Sequence, residues 1–242
     1  MMSKFLLCLL LWCVMGPVKG QVAVYFSSGD GLKISADLYV RNYSLPFIIL
    51  CHQDGSNRSE YKDIAPRLLN LNYNCLAIDL RSGGKPGFAD NETARRAQSE
   101  NRTMQPLDAL PDLIAAIGYV KTFNDRPVIL FGSSFSASLC LLAAADNPRV
   151  QAVVAFSPGE YFLPRVHMAE RISRFDKPLF ICATHTELPY IGKMTGGIAA
   201  PLITLFKPEK DENIRGTGIL TSAGKNRDEC WFALMMFFKK LL

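Results

Sequence analysis

The sequence predicts an α/β fold: a mostly parallel central sheet with an antiparallel N-terminal hairpin and helices on both faces. Short apolar, β-branched runs alternate along the chain with segments of helical period. The strand-like runs are apolar throughout, which is typical of parallel strands that helices cover on both faces. A length of 242 residues suits one domain with a sizeable core.

The predicted elements begin with the hairpin, Val22–Phe26 and Leu32–Val40, whose connection Ser27–Gly31 has turn composition. The further predicted strands are Phe47–Cys51, Asn74–Leu80, Val128–Phe131, Val150–Phe156, Leu179–Ala183 and Leu202–Phe206. The predicted helices are Tyr61–Leu71, Leu107–Thr122, Phe135–Ala145 and Glu229–Leu241. Two long loops, Arg81–Gln105 and Glu187–Ala200, are predicted where strands end. Because ligands bind at the carboxyl ends of parallel strands, both loops are expected to border a site.

The N-terminus has the pattern of a signal peptide. Lys4 precedes the apolar run Phe5–Met15, and the small residues Gly16 and Gly20 follow. We expect residues 1–20 to direct export and 21–242 to form a single secreted or periplasmic domain. No later segment reaches about 18 uninterrupted apolar residues, so no membrane span is expected. Lipoprotein anchoring at Cys13 is not expected, because Trp12 is a poor residue before a lipidated cysteine.

Composition excludes several classes of partner. The net charge of +5 is small and scattered, so the sequence gives no indication of nucleic-acid binding. Neither a metal-ligand cluster nor a phosphate loop is visible, and no metal or cofactor is expected. Each cysteine after residue 20 lies in an apolar strand or helix, which predicts buried free thiols.

Gly132-Ser133-Ser134-Phe135-Ser136 is the most informative segment, because it joins a predicted buried strand to a predicted helix. Such a turn, with small residues two before and two after a serine, is typical of the nucleophile elbow of serine hydrolases. The turn is predicted to expose the Ser134 hydroxyl and to point the Phe135 N–H at an oxyanion forming beside it. Ser136 stands where glycine is usual.

Three further motifs follow predicted strand ends: His52–Ser56, Asp79–Gly84 and Pro178–Glu187. Together with the elbow, their order resembles the α/β-hydrolase superfamily, most closely its dienelactone-hydrolase-like and peptidase-like serine esterase branch. The resemblance covers the whole predicted mature chain.

The resemblance implies a role for each motif. Gln53 or Asp54 would supply the first oxyanion N–H, and His52 would be structural. Asp79 and Arg81 would fix a turn through hydrogen bonds and a charge pair. Glu187 falls at the position of the triad acid, whose carboxylate orients a histidine. The family's glycine after the histidine is Gln53 here.

The triad histidine is the departure from the family's pattern. Relatives place a His-Gly pair after the last strand, where this chain has Arg215-Gly216. A guanidinium stays protonated and has no lone pair to accept a proton, so Arg215 is no base. It is predicted to pair with Glu187 instead. The chain has three histidines, and His185 or His167 could act as a relocated base, His185 being the one assigned a catalytic role.

These observations predict an exported hydrolase of small carboxylic esters or amides, with Ser134, Glu187 and His185 as catalytic residues. The alternative is a catalytically impaired relative that binds a small acyl or carboxylate ligand beside Arg215. A purely structural or protein-binding domain explains least, because it does not require a serine on so strained a turn.

Overall fold

One eight-stranded sheet organises the fold in the computed structural model, which describes residues 19–82, 90–209, 215–221 and 225–241. The strands, β1 to β8, are Lys19–Ser27, Lys33–Val40, Phe47–Cys51, Asn74–Ile78, Val128–Ser133, Val150–Phe156, Leu179–Cys182 and Ile203–Phe206. Their spatial order is β1-β2-β4-β3-β5-β6-β7-β8. β2 pairs antiparallel with β1 and β4, and the remaining neighbours are parallel. The predicted sheet with its antiparallel N-terminal hairpin is confirmed.

Helices lie on both faces of this sheet, as predicted. In chain order, α1 to α8 are Ala65–Asn70, Glu92–Ser99, Leu110–Val120, Phe135–Ala144, Met168–Arg171, Leu188–Thr195, Gly218–Thr221 and Lys225–Lys239. Leu113 of α3 and Leu139 of α4 pack into the core on one face. Leu68 of α1 and Leu234 of α8 pack into the core on the other. Each fully buried side chain of this size contributes about 1.5–3 kcal/mol relative to an exposed one.

The two predicted loops each contain a helix. Glu92–Ser99 has no large apolar residue and buries only Thr93, Ala94 and Ala97, so hydrophobic periodicity gave no signal for α2. Leu188–Thr195 begins with a proline in its first turn and buries Ile191 and Met194. Part of the first loop, 83–89, lies outside the described residues, as do residues 1–18 of the predicted signal peptide.

Register brings the functional segments together. Cys51 of β3 pairs with Gly132 of β5, and Ser133 of β5 pairs with Phe156 of β6. Phe156 in turn pairs with Cys182 of β7. The residues that follow these four parallel strands therefore emerge side by side at one edge of the sheet.

The five described cysteines, Cys51, Cys75, Cys140, Cys182 and Cys230, are free and buried, as predicted. Burial raises the pKa of the Cys75 thiol well above its usual range, so the reactive thiolate is disfavoured there. Within the described ranges, no helix is both long enough and apolar enough to span a bilayer.

Candidate active site

Ser134 occupies a strained turn between β5 and α4. Its backbone has φ 58° and ψ −126°, a left-handed conformation that non-glycine residues rarely adopt. The Ser134 N–H donates to the Phe156 carbonyl at 2.8 Å, which ties the turn to the neighbouring strand. The predicted strained elbow is confirmed.

The residues that flank Ser134 explain why the elbow needs small side chains. A Cβ on Gly132 would lie 2.4 Å from the Ser136 carbonyl oxygen and 2.6 Å from the Ala137 nitrogen. Ser136, where glycine is usual, is fully buried and its hydroxyl donates to the Cys51 carbonyl at 2.7 Å. The same hydroxyl accepts from the Ser133 N–H at 2.9 Å. This departure from the pattern therefore adds hydrogen bonds across the turn.

Glu187 lies in the loop between β7 and α6, with its side chain only 1% exposed. Its Oε2 accepts hydrogen bonds from the Ser157 hydroxyl at 3.0 Å and the Thr184 N–H at 2.9 Å. Ser157, at φ 52°, directly follows β6. The carboxylate is thus held rigidly at the sheet edge by groups from two strand ends.

Arg215 meets Glu187 from the segment before α7. Its Nε lies 3.6 Å from Glu187 Oε1, an ion pair too long for a hydrogen bond, and the arginine side chain is 68% exposed. The following Gly216 N–H donates to the Ser157 hydroxyl at 3.0 Å. A Cβ on Gly216, at φ +61°, would lie 2.4 Å from Ser133 Oγ, so this close approach requires glycine. The backbone that follows Arg215 is therefore fixed against Ser157 and Ser133.

Two tyrosines complete this side of the site. The Ser134 hydroxyl donates to the Tyr161 phenol oxygen at 3.2 Å, and the Tyr161 hydroxyl donates to the Ser157 carbonyl at 3.3 Å. Burial raises the pKa of Tyr190, on α6, to about 12, and the charge of Glu187 adds to the effect. Tyr161 also raises it, whereas Arg215 opposes the shift. Sequence reasoning missed both tyrosines, although Tyr161 follows the carboxyl end of a parallel strand.

The predicted oxyanion donors differ in their surroundings. No described residue accepts a hydrogen bond from the Phe135 N–H at the start of α4. The Gln53 N–H instead donates to Glu60 Oε2 at 2.9 Å, and the other oxygen of that carboxylate accepts from the Thr217 hydroxyl. Asp54 is exposed beyond β3. Phe135 and Asp54 both have an N–H without a described acceptor, Asp54 at an exposed position, and the oxyanion roles themselves stay predictions.

None of the chain's three histidines, all in described segments, is hydrogen-bonded to Ser134. His52 is fully buried, with Nδ1 2.8 Å from the Gln53 carbonyl and Nε2 accepting from the Leu80 N–H, which confirms its predicted structural role. His185 Nε2 lies 2.8 Å from the Pro208 carbonyl. His167 is exposed at the start of α5. A catalytic role for His185 stays a prediction.

The predicted charge pair between Asp79 and Arg81 is wrong. Asp79 instead pairs with Arg58, and Arg81 pairs with Asp112 and Asp30. Both side chains nevertheless fix the turn after β4: Asp79 accepts from the Arg58 and Glu92 N–H groups, and the Arg81 Nε–H donates to Asp112. Gly83 and Gly84 of this motif lie outside the described residues.

The assembled groups can support acyl transfer at a serine. They comprise a strained serine, an open N–H at a helix start and a buried carboxylate. Among the residues that the structure describes, no group of three or more histidine, cysteine, aspartate or glutamate side chains could hold a metal ion.

Comparison with known proteins identifies the family. The dienelactone hydrolase family matches residues 35–188, a range that includes Ser134 and Glu187 and ends before Arg215. The chain belongs to the dienelactone hydrolase family.

A curated relative is the quorum-quenching protein AidA of Acinetobacter baumannii (strain MDR-ZJ06). It is 31% identical over 144 residues, which are 56% of this chain and 43% of AidA. The chain thus aligns with less than half the length of AidA.

Solved structures show the same fold. An esterase of Pyrococcus furiosus has a TM-score of 0.66 at 18% identity, covering 91% of this chain and 92% of that one. A dienelactone hydrolase of Anabaena variabilis has a TM-score of 0.64 at 18% identity, covering 91% of this chain and 97% of that one. At this identity, the likeness extends to the α/β-hydrolase fold of the family.

Proposed function

We propose that this chain is a serine-nucleophile hydrolase that cleaves small carboxylic esters or amides. The observation that carries the proposal is the left-handed backbone of Ser134 at the strand–helix turn. Such strain persists only where the surrounding structure enforces it. The turn places the Ser134 hydroxyl beside the N-terminus of α4. Membership of the dienelactone hydrolase family supports the same chemistry.

The reaction proceeds through an acyl-enzyme. The Ser134 oxygen attacks the carbonyl carbon, and the Phe135 N–H, at the positive end of the α4 dipole, stabilises the oxyanion. The leaving alcohol or amine departs, and water then releases the carboxylic acid. Glu187 and Arg215 form an ion pair between a buried carboxylate and an exposed cation at the same edge of the sheet.

Ester hydrolysis by matched serine variants tests this proposal. We expect the wild type to hydrolyse p-nitrophenyl acetate and Ser134→Ala to lose that activity to the solvent background. Ser99→Ala is the control, because Ser99 is exposed at the end of α2, where its hydroxyl donates to the Arg96 carbonyl. Equal turnover by Ser134→Ala and the wild type would reject Ser134 as the nucleophile.

Arg215 favours a second candidate function, the binding of a small acyl or carboxylate ligand in a catalytically impaired site. The supporting observation is the largely exposed guanidinium of Arg215, which the sequence predicts to stand at the position of the family's histidine. A cation there attracts anions and accepts no proton. The similar proteins are hydrolases and one quorum-quenching protein, and they give this alternative no support.

Calorimetry with acetate and benzoate tests the alternative. Carboxylate binding should weaken about tenfold in Arg215→Gln, because a charge-assisted hydrogen bond is lost. Arg126→Gln, which alters an exposed arginine after α3, is the control. Binding that is unchanged in Arg215→Gln, or equal for neutral acetamide, would reject this alternative.

We also propose that residues 1–20 direct export, on the evidence of Lys4 and the apolar run Phe5–Met15. Expression of the full chain in a bacterial host, followed by N-terminal sequencing of the non-cytoplasmic fraction, tests this. A product that begins near Gln21 is expected. Retention of an uncleaved chain in the cytoplasm would contradict it.

A further inference from the structure

The hydroxyl partner of Ser134 is a phenol. The Ser134 oxygen lies 3.2 Å from the Tyr161 oxygen, within the distance over which a base accepts a proton from a nucleophile. Tyr161 is 40% exposed, so its phenol exchanges protons with solvent. Its ring lies against Gly159, 3.1 Å from the position of an added Cβ, which helps to fix its direction.

A hydrogen-bonded chain continues from Tyr161 toward the acid. The Tyr161 hydroxyl donates to the Ser157 carbonyl, and the Ser157 hydroxyl donates to Glu187 Oε2. Ser157 thus contacts Tyr161 through its carbonyl and Glu187 through its hydroxyl, whereas the imidazole of a triad contacts the carboxylate directly.

The titratable and charged groups gathered here come from several elements. Tyr190 approaches from α6, Glu187 from the loop before it and Arg215 from the segment before α7. Glu160 adjoins Tyr161 in the chain, but its carboxylate accepts from the N–H groups of Met168 and Ala169. Burial raises the pKa of Tyr190 to about 12, so that phenol keeps its proton over the working range.

We propose that Tyr161 is the catalytic residue that accepts the Ser134 proton, in place of the histidine that relatives have where this chain has Arg215. This inference rests on the proposed hydrolase function. In the reactive form, Tyr161 is a phenolate, which accepts from the Ser134 hydroxyl and no longer donates to the Ser157 carbonyl. As the Ser134 oxygen bonds to the ester carbonyl carbon, the hydroxyl proton moves to the Tyr161 oxygen and the carbonyl electron pair moves to the oxyanion.

The proton then returns by the reverse path. The carbon–oxygen bond to the leaving group breaks, and the departing alkoxide takes the proton from Tyr161. Water attacks the acyl-enzyme while giving a proton to the Tyr161 phenolate, and Ser134 regains that proton as the acid leaves. The sum is ester plus water giving acid plus alcohol, with no other reactant.

The pH dependence of the reaction at Ser134 tests the inference without any variant. Phenols lose their proton in alkaline solution, whereas an imidazole base is neutral from about pH 7 upward. The rate of fluorophosphonate labelling, measured from about pH 6 to about pH 10, should therefore rise about tenfold per pH unit over most of the range. A plateau from about pH 7 would overturn the inference and indicate a histidine.

Tyr161→Phe removes one exposed hydroxyl, and Tyr43→Phe is its matched control, because Tyr43 is 42% exposed and lies between β2 and β3, away from the carboxyl ends of the parallel strands. Tyr161→Phe should label at least about 100-fold more slowly in alkaline solution and lose the rise with pH. Tyr43→Phe should keep the wild-type profile. Wild-type rates in Tyr161→Phe, or loss of labelling in His185→Ala, would overturn the inference.

Failure of the proposed function is distinguishable from failure of this inference. If the wild type labels no faster than Ser134→Ala at any pH, both are wrong. If the wild type labels, Ser134→Ala does not, and Tyr161→Phe matches the wild type, only the role of Tyr161 is wrong.

Discussion

Arg215 determines which groups can move a proton at this site. The guanidinium donates hydrogen bonds only, so Arg215, which pairs with Glu187, cannot serve as a base. Because the arginine is mostly exposed, the pair contributes at most about 1 kcal/mol to stability. Among the described residues, the hydrogen-bond partner of the Ser134 hydroxyl is a phenol and not an imidazole.

Arg215→His should restore a base at this position. Gly216 and Thr217 are held by hydrogen bonds to Ser157 and Ser133, so a histidine at 215 would be attached at the same place beside Glu187. We expect kcat/KM for p-nitrophenyl acetate near neutral pH to rise by about 100-fold or more. Arg215→Gln controls for loss of the positive charge. A histidine variant no faster than the glutamine variant would contradict this account of position 215.

The short helix α2 shows how a polar element is fixed without a large apolar face. The buried Asn91 side chain accepts from the Ala94 N–H at 2.8 Å and donates to the Leu80 carbonyl at 3.0 Å. The next residue, Glu92, receives a hydrogen bond from Arg58, which also pairs with Asp79. Capping and ion pairs therefore join α2 to the end of β4.

Asn91→Ala should lower the free energy of unfolding by about 1–3 kcal/mol, because it removes a helix cap and leaves the Leu80 carbonyl with one fewer donor. Chemical denaturation with circular dichroism measures the change. Glu100→Ala, at the exposed end of the same helix, should change stability by less than about 0.5 kcal/mol. Equal effects of the two variants would contradict the capping account.

How far the sequence predicts an element depends on its apolar content. The buried strands of the sheet and helix α4 were predictable, because their runs are apolar and bounded by turns. Helix α1 is shorter than predicted, since Pro66 lies in its first turn and a 3₁₀ turn, Arg58–Tyr61, takes the preceding residues. For helix α2, the N-cap residue Asn91 was the one feature of the sequence that indicated a helix.

The site was predictable only in part, for a related reason. Ser134, Glu187 and Arg215 lie at fixed places relative to strands, so order along the chain located them. The partners of Asp79 and Arg81, the contact of Glu60 with Gln53 and the role of Tyr161 depend on how loops pack. Spacing in the sequence carries no information on such contacts between loops.

At the scale of the whole molecule, the parallel sheet joins stability to function. The same register that buries the strands also aligns the carboxyl ends of β3, β5, β6 and β7 around Ser134. The five buried thiols belong to this core rather than to the site. Strain at Ser134 and Ser157 is thus supported by a rigid scaffold.

The thiols should report the integrity of that scaffold. In native protein lacking residues 1–20, few or none of Cys51, Cys75, Cys140, Cys182 and Cys230 should react with a thiol reagent, because all are buried. Nearly all five should react after denaturation. Mass spectrometry that found two disulfides in the native protein would contradict this prediction.

The central claim is that Ser134 is a nucleophile on an elbow, and site mapping of a covalent probe tests it most directly. Native protein would be treated with a fluorophosphonate at alkaline pH, digested, and analysed by mass spectrometry. The account predicts one adduct, on Ser134, which is absent after denaturation before labelling and absent in Ser134→Ala. An adduct on another residue, or none when the protein is folded, would contradict it.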